Sequence, residues 1–374
     1  MTEPRASLGE LAKLFLRLGS TAFGGPAAHI AMMEAEVVRK RGWLSRERFL
    51  DLLGAANLIP GPNSTELAIH IGLAQRGLPG LVVAGVCFIV PAMLIVMALG
   101  WAYVEYGTLP EVQGVLYGVK PVILAIVAQA LWNLARSAVK TWQLAVVGAW
   151  ALGALLVGVH ELLVLLVAGI AACAFAVAKR QPAAFVVPLL SAATTSAVAT
   201  PFSLGALFAF FAKVGAVLYG SGYVLIAFLR SDLVERLHWL TETQLLDSIA
   251  VGQVTPGPVF TTATFVGYLL DGPTGALVAT AGIFLPAFVF VALSGPLVPW
   301  IRRSPVRGAF LDGVSVASLA LMGWAGVLLG YGALIDLPAI GIALIAAVLL
   351  IRYRIDPTWL IAAGAVVGVI RTLT

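Results

Sequence analysis

Apolar runs close to 20 residues long recur along the chain, parted by short polar or charged turns. They cover approximately 81–105, 115–133, 141–159, 162–178, 184–200, 275–300, 308–333, 335–351 and 357–371. Runs of this length, apolar all round, predict helices that cross a bilayer. Four further segments, 10–33, 52–72, 204–228 and 248–269, are each interrupted near the middle. The interruptions are Gly24-Gly25-Pro26, Pro60-Gly61-Pro62, Gly220-Ser221-Gly222 and Pro256-Gly257-Pro258. Lys13 and Arg17 lie in the first of these segments and Glu66 in the second. They read either as broken transmembrane helices or as re-entrant hairpins that enter and leave on one side.

The interruptions belong to an internal repeat. Trp43-Leu44, Asp51 and Pro60-Gly61-Pro62 return as Trp239-Leu240, Asp247 and Pro256-Gly257-Pro258, a constant offset of 196 (43 to 239, 51 to 247, 60 to 256). Upstream the same offset joins Arg17 to Lys213, Gly19 to Gly215, Phe23 to Tyr219 and Gly24 to Gly220. After one lost residue, an offset of 195 joins Gly72 to Gly267, Gly80 to Gly275, Pro91 to Pro286 and Gly118 to Gly313. The chain thus reads as two homologous halves, 8–178 and 204–372, joined by a linking transmembrane helix at 183–200.

Composition agrees with the membrane reading. Of 374 residues, 60% are hydrophobic and 11% charged, against about a quarter charged in a soluble domain. The net charge of +5 is read as cytoplasmic loop charge, so no nucleic-acid partner is expected. Cys87 and Cys173 lie in apolar runs, which argues against a disulfide framework or a zinc site. The start of the chain lacks a short apolar stretch with a cleavage site, so no signal peptide is expected.

Loop charge decides between the two topologies. If all four interrupted segments cross, the loop 34–51, with Arg39, Lys40, Arg41, Arg46 and Arg48, falls on the side away from the other basic loops. If they are re-entrant, that loop joins the others inside and its repeat partner 230–247 moves outside. The partner holds only Arg230 and Arg236 against Asp232, Glu235, Glu242 and Asp247. The fold class expected is therefore an all-α polytopic membrane protein. Its two inverted-topology repeats meet, through their broken or re-entrant helices, near the midplane.

A helix that begins in mid-membrane exposes unpaired N–H groups and a positive dipole end, which suits an anion. Pro62 is placed to start such a half-helix, with Asn63, Ser64 and Thr65 at its mouth; Pro258 does the same ahead of Thr261 and Thr262. Gly24, Gly25, Gly220 and Gly222 remove side chains where backbone and ligand approach, although close helix packing is the better explanation of any single glycine. Arg17 and Lys213 each lie seven residues before a glycine break, on the same helical face as the break, and are candidate substrate cations. Snorkelling to the interface is the alternative for Arg17. Lys120, whose repeat partner is Ser315, is a third candidate cation. Glu66, His70 and His29 are the protonatable candidates, and Glu66 with His70 also reads as a simple pair.

FGGPAAHIAMMEAEVV, RGWLSRERFLDLLGAANLIPGPNSTELAIHIG and GVKPVILAIVAQALW resemble the chromate ion transporter family. YGSGYVLIAFL and WLTETQLLDSIAVGQVTPGPVFTTATFVGYLL resemble its C-terminal repeat. The likeness covers essentially the whole chain in the family's long, two-repeat form. It implies export of chromate across a prokaryotic inner membrane, driven by the proton motive force, and hence chromate resistance. It places family motif positions at Phe23, Gly24, Gly25, Pro26, His29, Trp43, Asn57, Pro60, Gly61 and Pro62. Their second-half equivalents are Tyr219, Gly220, Gly222, Trp239, Gln253, Pro256, Gly257 and Pro258. The second half departs from the first at Ser221, which stands in place of Gly25, and at Leu225, which replaces His29.

The expected partners are a chromate or sulfate-like oxyanion, protons and the lipid bilayer, with a second copy of the chain as a further candidate. Neither cofactor nor metal is expected. The rival classes are a passive anion channel, an intramembrane enzyme and a membrane scaffold. The four histidines form no HExxH pattern, and no GxSxG, CxxC or phosphate-binding glycine loop is present, so no enzyme is expected.

Overall fold

The computed structural model describes residues 5–22, 25–178, 201–219, 224–302, 304–353 and 355–373. The expected linking helix 183–200, Gly24 and Gly220-Ser221-Gly222 lie outside the described residues. All regular structure among the described residues is helical, and its order repeats.

In the first half α1 spans Leu8–Thr21, α2 spans Gly25–Glu34 and runs on as a wide π-helical turn at Ala35–Lys40, and α3 spans Arg46–Ala56. Asn63–Tyr106 (α4), Pro110–Ala138 (α5), Trp142–Leu156 (α6) and Glu161–Ala178 (α7) follow. The second half repeats this as α8 (Leu204–Val217), α9 (Leu225–Phe228) with a π-helical turn at Leu229–Arg236, and α10 (Glu242–Val254). Thr262–Arg302 (α11, after a short 3-10 turn), Pro305–Ala333 (α12), Leu337–Arg352 (α13) and Pro357–Leu373 (α14) complete it. Matched side chains start the matched helices. Ser7 and Ser203 cap α1 and α8, and Ser45 and Thr241 cap α3 and α10, each accepting the backbone N–H three residues on.

The interrupted segments are hairpins. α4 counts 44 residues, which as a straight rod is about 66 Å, twice a bilayer core. It doubles back at Arg76-Gly77, where Gly77 takes φ +61°. The two arms, 63–75 and 78–106, lie so close that a Cβ on Gly85 would stand 2.9 Å from Ile69, sixteen positions back. α11 reverses in the same way at Asp271-Gly272, with Gly272 at φ +54°. Across that reversal the Thr264 and Thr280 hydroxyls bond at 2.7 Å. Gln75 ties the first reversal to both neighbouring hairpin mouths, accepting from the Ala6 N–H at 2.9 Å and donating to the Trp43 carbonyl at 2.9 Å. α1 therefore enters, and α2 with its π turn returns, at one face. α3 and the first arm of α4 do the same.

The halves are inverted, and the second arm of α4 shows it. It begins beside Trp43 and ends at Tyr103, whose hydroxyl donates to Asp247 at 2.7 Å. Trp43 and Asp247 border equivalent loops, and about 25 residues of helix, close to 38 Å, separate them. Arg39, Lys40, Arg41, Arg46 and Arg48 thus mark one face, called here the basic face. Lys140 of the α5–α6 turn pairs with Asp312 near the start of α12 at 2.7 Å, at this same face. Asp232, Glu235 and Glu242 mark the opposite face. Cysteines placed singly in 39–48 should be shielded from a periplasmic thiol reagent and those in 232–244 should react. Labelling of both loops from one side would contradict the inversion.

The halves also interleave. α13 and α14 pack on α5, and α6 and α7 pack on α12, so each half lends its last two helices to the other. Gly114 and Gly118 face Gly368 and Gly364, and a Cβ on Gly114 would reach within 2.8 Å of the Gly368 carbonyl. Such contact needs small residues four apart on both helices.

Candidate functional site

The first break of each half is stitched to the second break of the other. The Gly61 N–H donates to the Leu218 carbonyl at 2.8 Å, and the Gly257 N–H donates to the Ala22 carbonyl at 2.9 Å. Both glycines hold positive φ, +137° for Gly61 and +89° for Gly257. Their N–H groups are spent on this crossing and are not aimed at a ligand. The four breaks are thus joined in two crossing pairs inside the protein, an arrangement typical of discontinuous helices at a repeat interface.

The two halves differ in what they leave free there. Pro62 precedes α4 with no side-chain cap, as Pro258 does in the second half, so the N–H groups of Asn63, Ser64 and Thr65 have no capping acceptor. The Thr65 hydroxyl, both Glu66 carboxyl oxygens and His70 Nε2 are buried and unpartnered. Glu66 and His70 consequently do not pair with each other. The Glu66 carboxyl curls back against the Pro-Gly-Pro turn, where a Cβ on Gly61 would collide with Oε1. His29 is engaged: Nε2 lies 3.0 Å from the Ala22 carbonyl and Nδ1 lies 3.3 Å from the Ser64 hydroxyl. A carbonyl only accepts, so the ring donates through Nε2 and Nδ1 accepts from Ser64. In the second half the hydroxyls of Thr261 and Thr262 turn back onto the carbonyls of Pro258 and Val259 at 2.8 Å each. Ser64, Thr261 and Thr262 are thus engaged within the protein, and of the four hydroxyls at the two breaks Thr65 is the one without a partner.

A cavity of ≈ 540 Å³ leads to the first-half break. Asn57, Asn63 and Tyr219 form one wall, and Asp312, Ser315 and Ser318 of α12 form another, with Lys140 also on its lining. The Asn63 side-chain amide donates to Asn57 Oδ1 at 2.9 Å, and the Tyr219 hydroxyl donates to the Asn57 carbonyl at 2.6 Å. Sequence reasoning missed the α12 wall, although Asp312, Ser315 and Ser318 recur every three residues along an apolar helix and so share one face.

The matched cations do not stand free. Arg17 pairs with Glu36 at 2.8 Å, and Lys40 joins the same carboxylate at 2.7 Å. Lys213 pairs with Asp232, which Arg236 also holds at 2.6 Å. The structure thus uses both expected substrate cations to tie hairpin arms together. Lys120 pairs with Asp247 at 2.8 Å. The signal was in the sequence, because Glu36 and Asp232, like Lys40 and Arg236, obey the offset that joins Arg17 to Lys213. Arg17→Gln and Glu36→Gln should each lower the thermal midpoint, with a loss of about 0.5–1 kcal/mol for Arg17→Gln, whose side chain is half exposed. The double variant should be no worse than the worse single. Loss of anion affinity in Arg17→Gln alone, without loss of stability, would return Arg17 to the binding site.

Two inverted repeats of paired hairpins, broken where they cross and opening on a polar cavity, define a polytopic membrane protein of transporter architecture. The chain belongs to the Chromate transporter family, which it matches over residues 9–174 and 205–369. It is 33% identical to a chromate transport protein of Cupriavidus metallidurans, over 99% of this chain and 94% of the relative. It is likewise 33% identical to a probable chromate transport protein of Synechococcus elongatus, over 98% and 96% of the two chains. An uncharacterized transporter of Methanocaldococcus jannaschii is 25% identical over 82% of this chain and 81% of the relative. No solved structure matches the chain.

Proposed function

We propose that this protein is a secondary transporter that carries chromate out of the cytoplasm of a prokaryotic cell. In this reading the basic face is cytoplasmic and the oxyanion enters through the ≈ 540 Å³ cavity. The observation that carries the proposal is the uncapped start of α4 at the inner end of that cavity. There the N–H groups from Asn63 onward, together with the Asn57 and Asn63 amides and the Ser315 hydroxyl, supply neutral donors to a dehydrated tetrahedral dianion. Gly25 and Pro26 at the start of α2, and Gln253 as the counterpart of Asn57, complete the crossing region. The sulfate ion has the same shape and charge and is the natural competitor.

An inside-negative potential drives a dianion outward. It is worth about 2.3 kcal/mol per charge per 100 mV, so about 4.6 kcal/mol for two charges. Glu66 supplies the link to protons. A carboxylate beside the bound dianion would repel it, so the oxyanion and a proton on Glu66 bind together. One proton carried along leaves a net negative charge that the potential still drives outward.

The test is uptake of labelled chromate into everted membrane vesicles that hold the protein, with and without a protonophore. Accumulation that a protonophore abolishes and excess sulfate reduces is the expected result. Accumulation that follows an imposed potential and ignores an imposed pH gradient would make the protein a passive channel.

A further inference from the structure

The two ends of the crossing region come from the same repeat but stand in different states. Toward the basic face, Asn57 and Ser315 line an open cavity. Their repeat partners toward the opposite face are Gln253 and Lys120. There Lys120 Nζ lies 2.8 Å from Asp247 Oδ1, and the Tyr103 hydroxyl donates to Asp247 Oδ2 at 2.7 Å. Asp247 is 1% exposed. One carboxylate thereby fastens α10 to both α5 and the second arm of α4. At the basic face Ser315 bears no charge, so no ion pair can form at that position.

We propose that Lys120, Asp247 and Tyr103 form a latch that closes the pathway toward the opposite face, and that opening it hands the Lys120 ammonium to the oxyanion. The second clause rests on the reading of the chain as an oxyanion carrier. Parting a buried ion pair leaves two uncompensated charges, which is strongly unfavourable unless each finds a new partner. Water reaching Asp247 satisfies the carboxylate, and a dianion arriving at Lys120 satisfies the ammonium. Carboxylate and oxyanion thus compete for one cation: the carboxylate holds it while the end is shut, and the substrate holds it while the end is open. The Lys120–Ser315 difference gives the pathway a charged end and a neutral end, which the repeat alone would not supply.

The test uses the full chain in membranes, with Cys87 and Cys173 replaced by serine and a single cysteine at Gln253. An impermeant thiol reagent is applied from the face opposite the basic loops, with no substrate present. The parent should react slowly. Asp247→Asn and Lys120→Met should each react about tenfold faster or more, since each removes one half of a buried pair. The reversed pair Lys120→Asp/Asp247→Lys should return toward the parent rate. Unchanged labelling in both single variants, or no recovery in the reversed pair, would overturn the latch. In a second assay, Lys120→Met should weaken chromate binding from the same face about tenfold, as loss of a desolvated charge partner does, while Asp247→Asn should not weaken it. Equal binding by Lys120→Met and the parent would overturn the hand-over. Labelling needs no substrate, so a responsive latch in a protein that moves no chromate would refute the carrier reading alone. Chromate transport with indifferent labelling would refute the latch alone.

Discussion

Leucine in place of Gly61 or Gly257 is expected to abolish chromate transport while the chain still inserts into the membrane. Two costs coincide at each position. Backbone φ values of +137° and +89° are strained for a residue with a Cβ, by about 1–3 kcal/mol. The Cβ itself has no room. At Gly61 it meets the Glu66 carboxyl, and at Gly257 it meets Ala92 Cβ at 2.6 Å and the Gly19 carbonyl at 2.8 Å. Each clash falls on the residue whose N–H stitches the two halves together, so the crossing must open or shift. Alanine should already impair transport, because the first carbon is the one that collides. Pro62→Ala and Pro258→Ala should be milder, since alanine also starts a helix. The check is transport per amount of inserted protein. Retained transport in the Gly61→Leu/Gly257→Leu double variant would show that the crossing is not part of the path.

Glu66→Gln should separate anion movement from proton movement. Glutamine keeps the shape of the side chain and cannot exchange a proton, so the field at the start of α4 no longer changes with pH. In the wild type, chromate binding should weaken as pH rises, because a newly formed carboxylate repels the dianion. In Glu66→Gln the response to pH should shrink to what protonation of the chromate itself imposes, while a potential imposed across proteoliposomes still drives flux. Chromate-induced thermal stabilisation measured across a pH series decides it. A wild-type pH response in the variant would move the coupling group elsewhere. His70, whose Nε2 is also buried and unpartnered, is the next residue to test.

Much of this architecture is legible in the chain because membrane proteins write it in long apolar runs and in breakers. The repeat, the four interruptions and the inverted sense of the halves all follow from residue offsets and loop charge. The reversals at Gly77 and Gly272 are quieter, since a single glycine inside an apolar run reads as well as a packing contact. The interleaving of the last two helices of each half has no local signature; it depends on which apolar faces find each other. Side-chain engagement is the least visible level. A cation in an apolar segment looks free until its acid is placed, and Arg17, Lys213 and Lys120 find theirs 19, 19 and 127 positions away (Glu36, Asp232, Asp247). The hydroxyls of Thr261 and Thr262 looked equivalent to Thr65 in composition. Local backbone geometry turned them inward, onto the carbonyls of Pro258 and Val259.

In the proposed mechanism the oxyanion rests where the cavity reaches the uncapped start of α4. Diffraction from crystals of the protein grown with chromate, recorded at the chromium absorption edge, locates the metal centre of the anion directly. An anomalous peak is expected within hydrogen-bonding reach of the Asn63 backbone N–H and of the Asn57 or Ser315 side chains. A peak confined to the basic loop at 39–48, with none at the crossing, would contradict it.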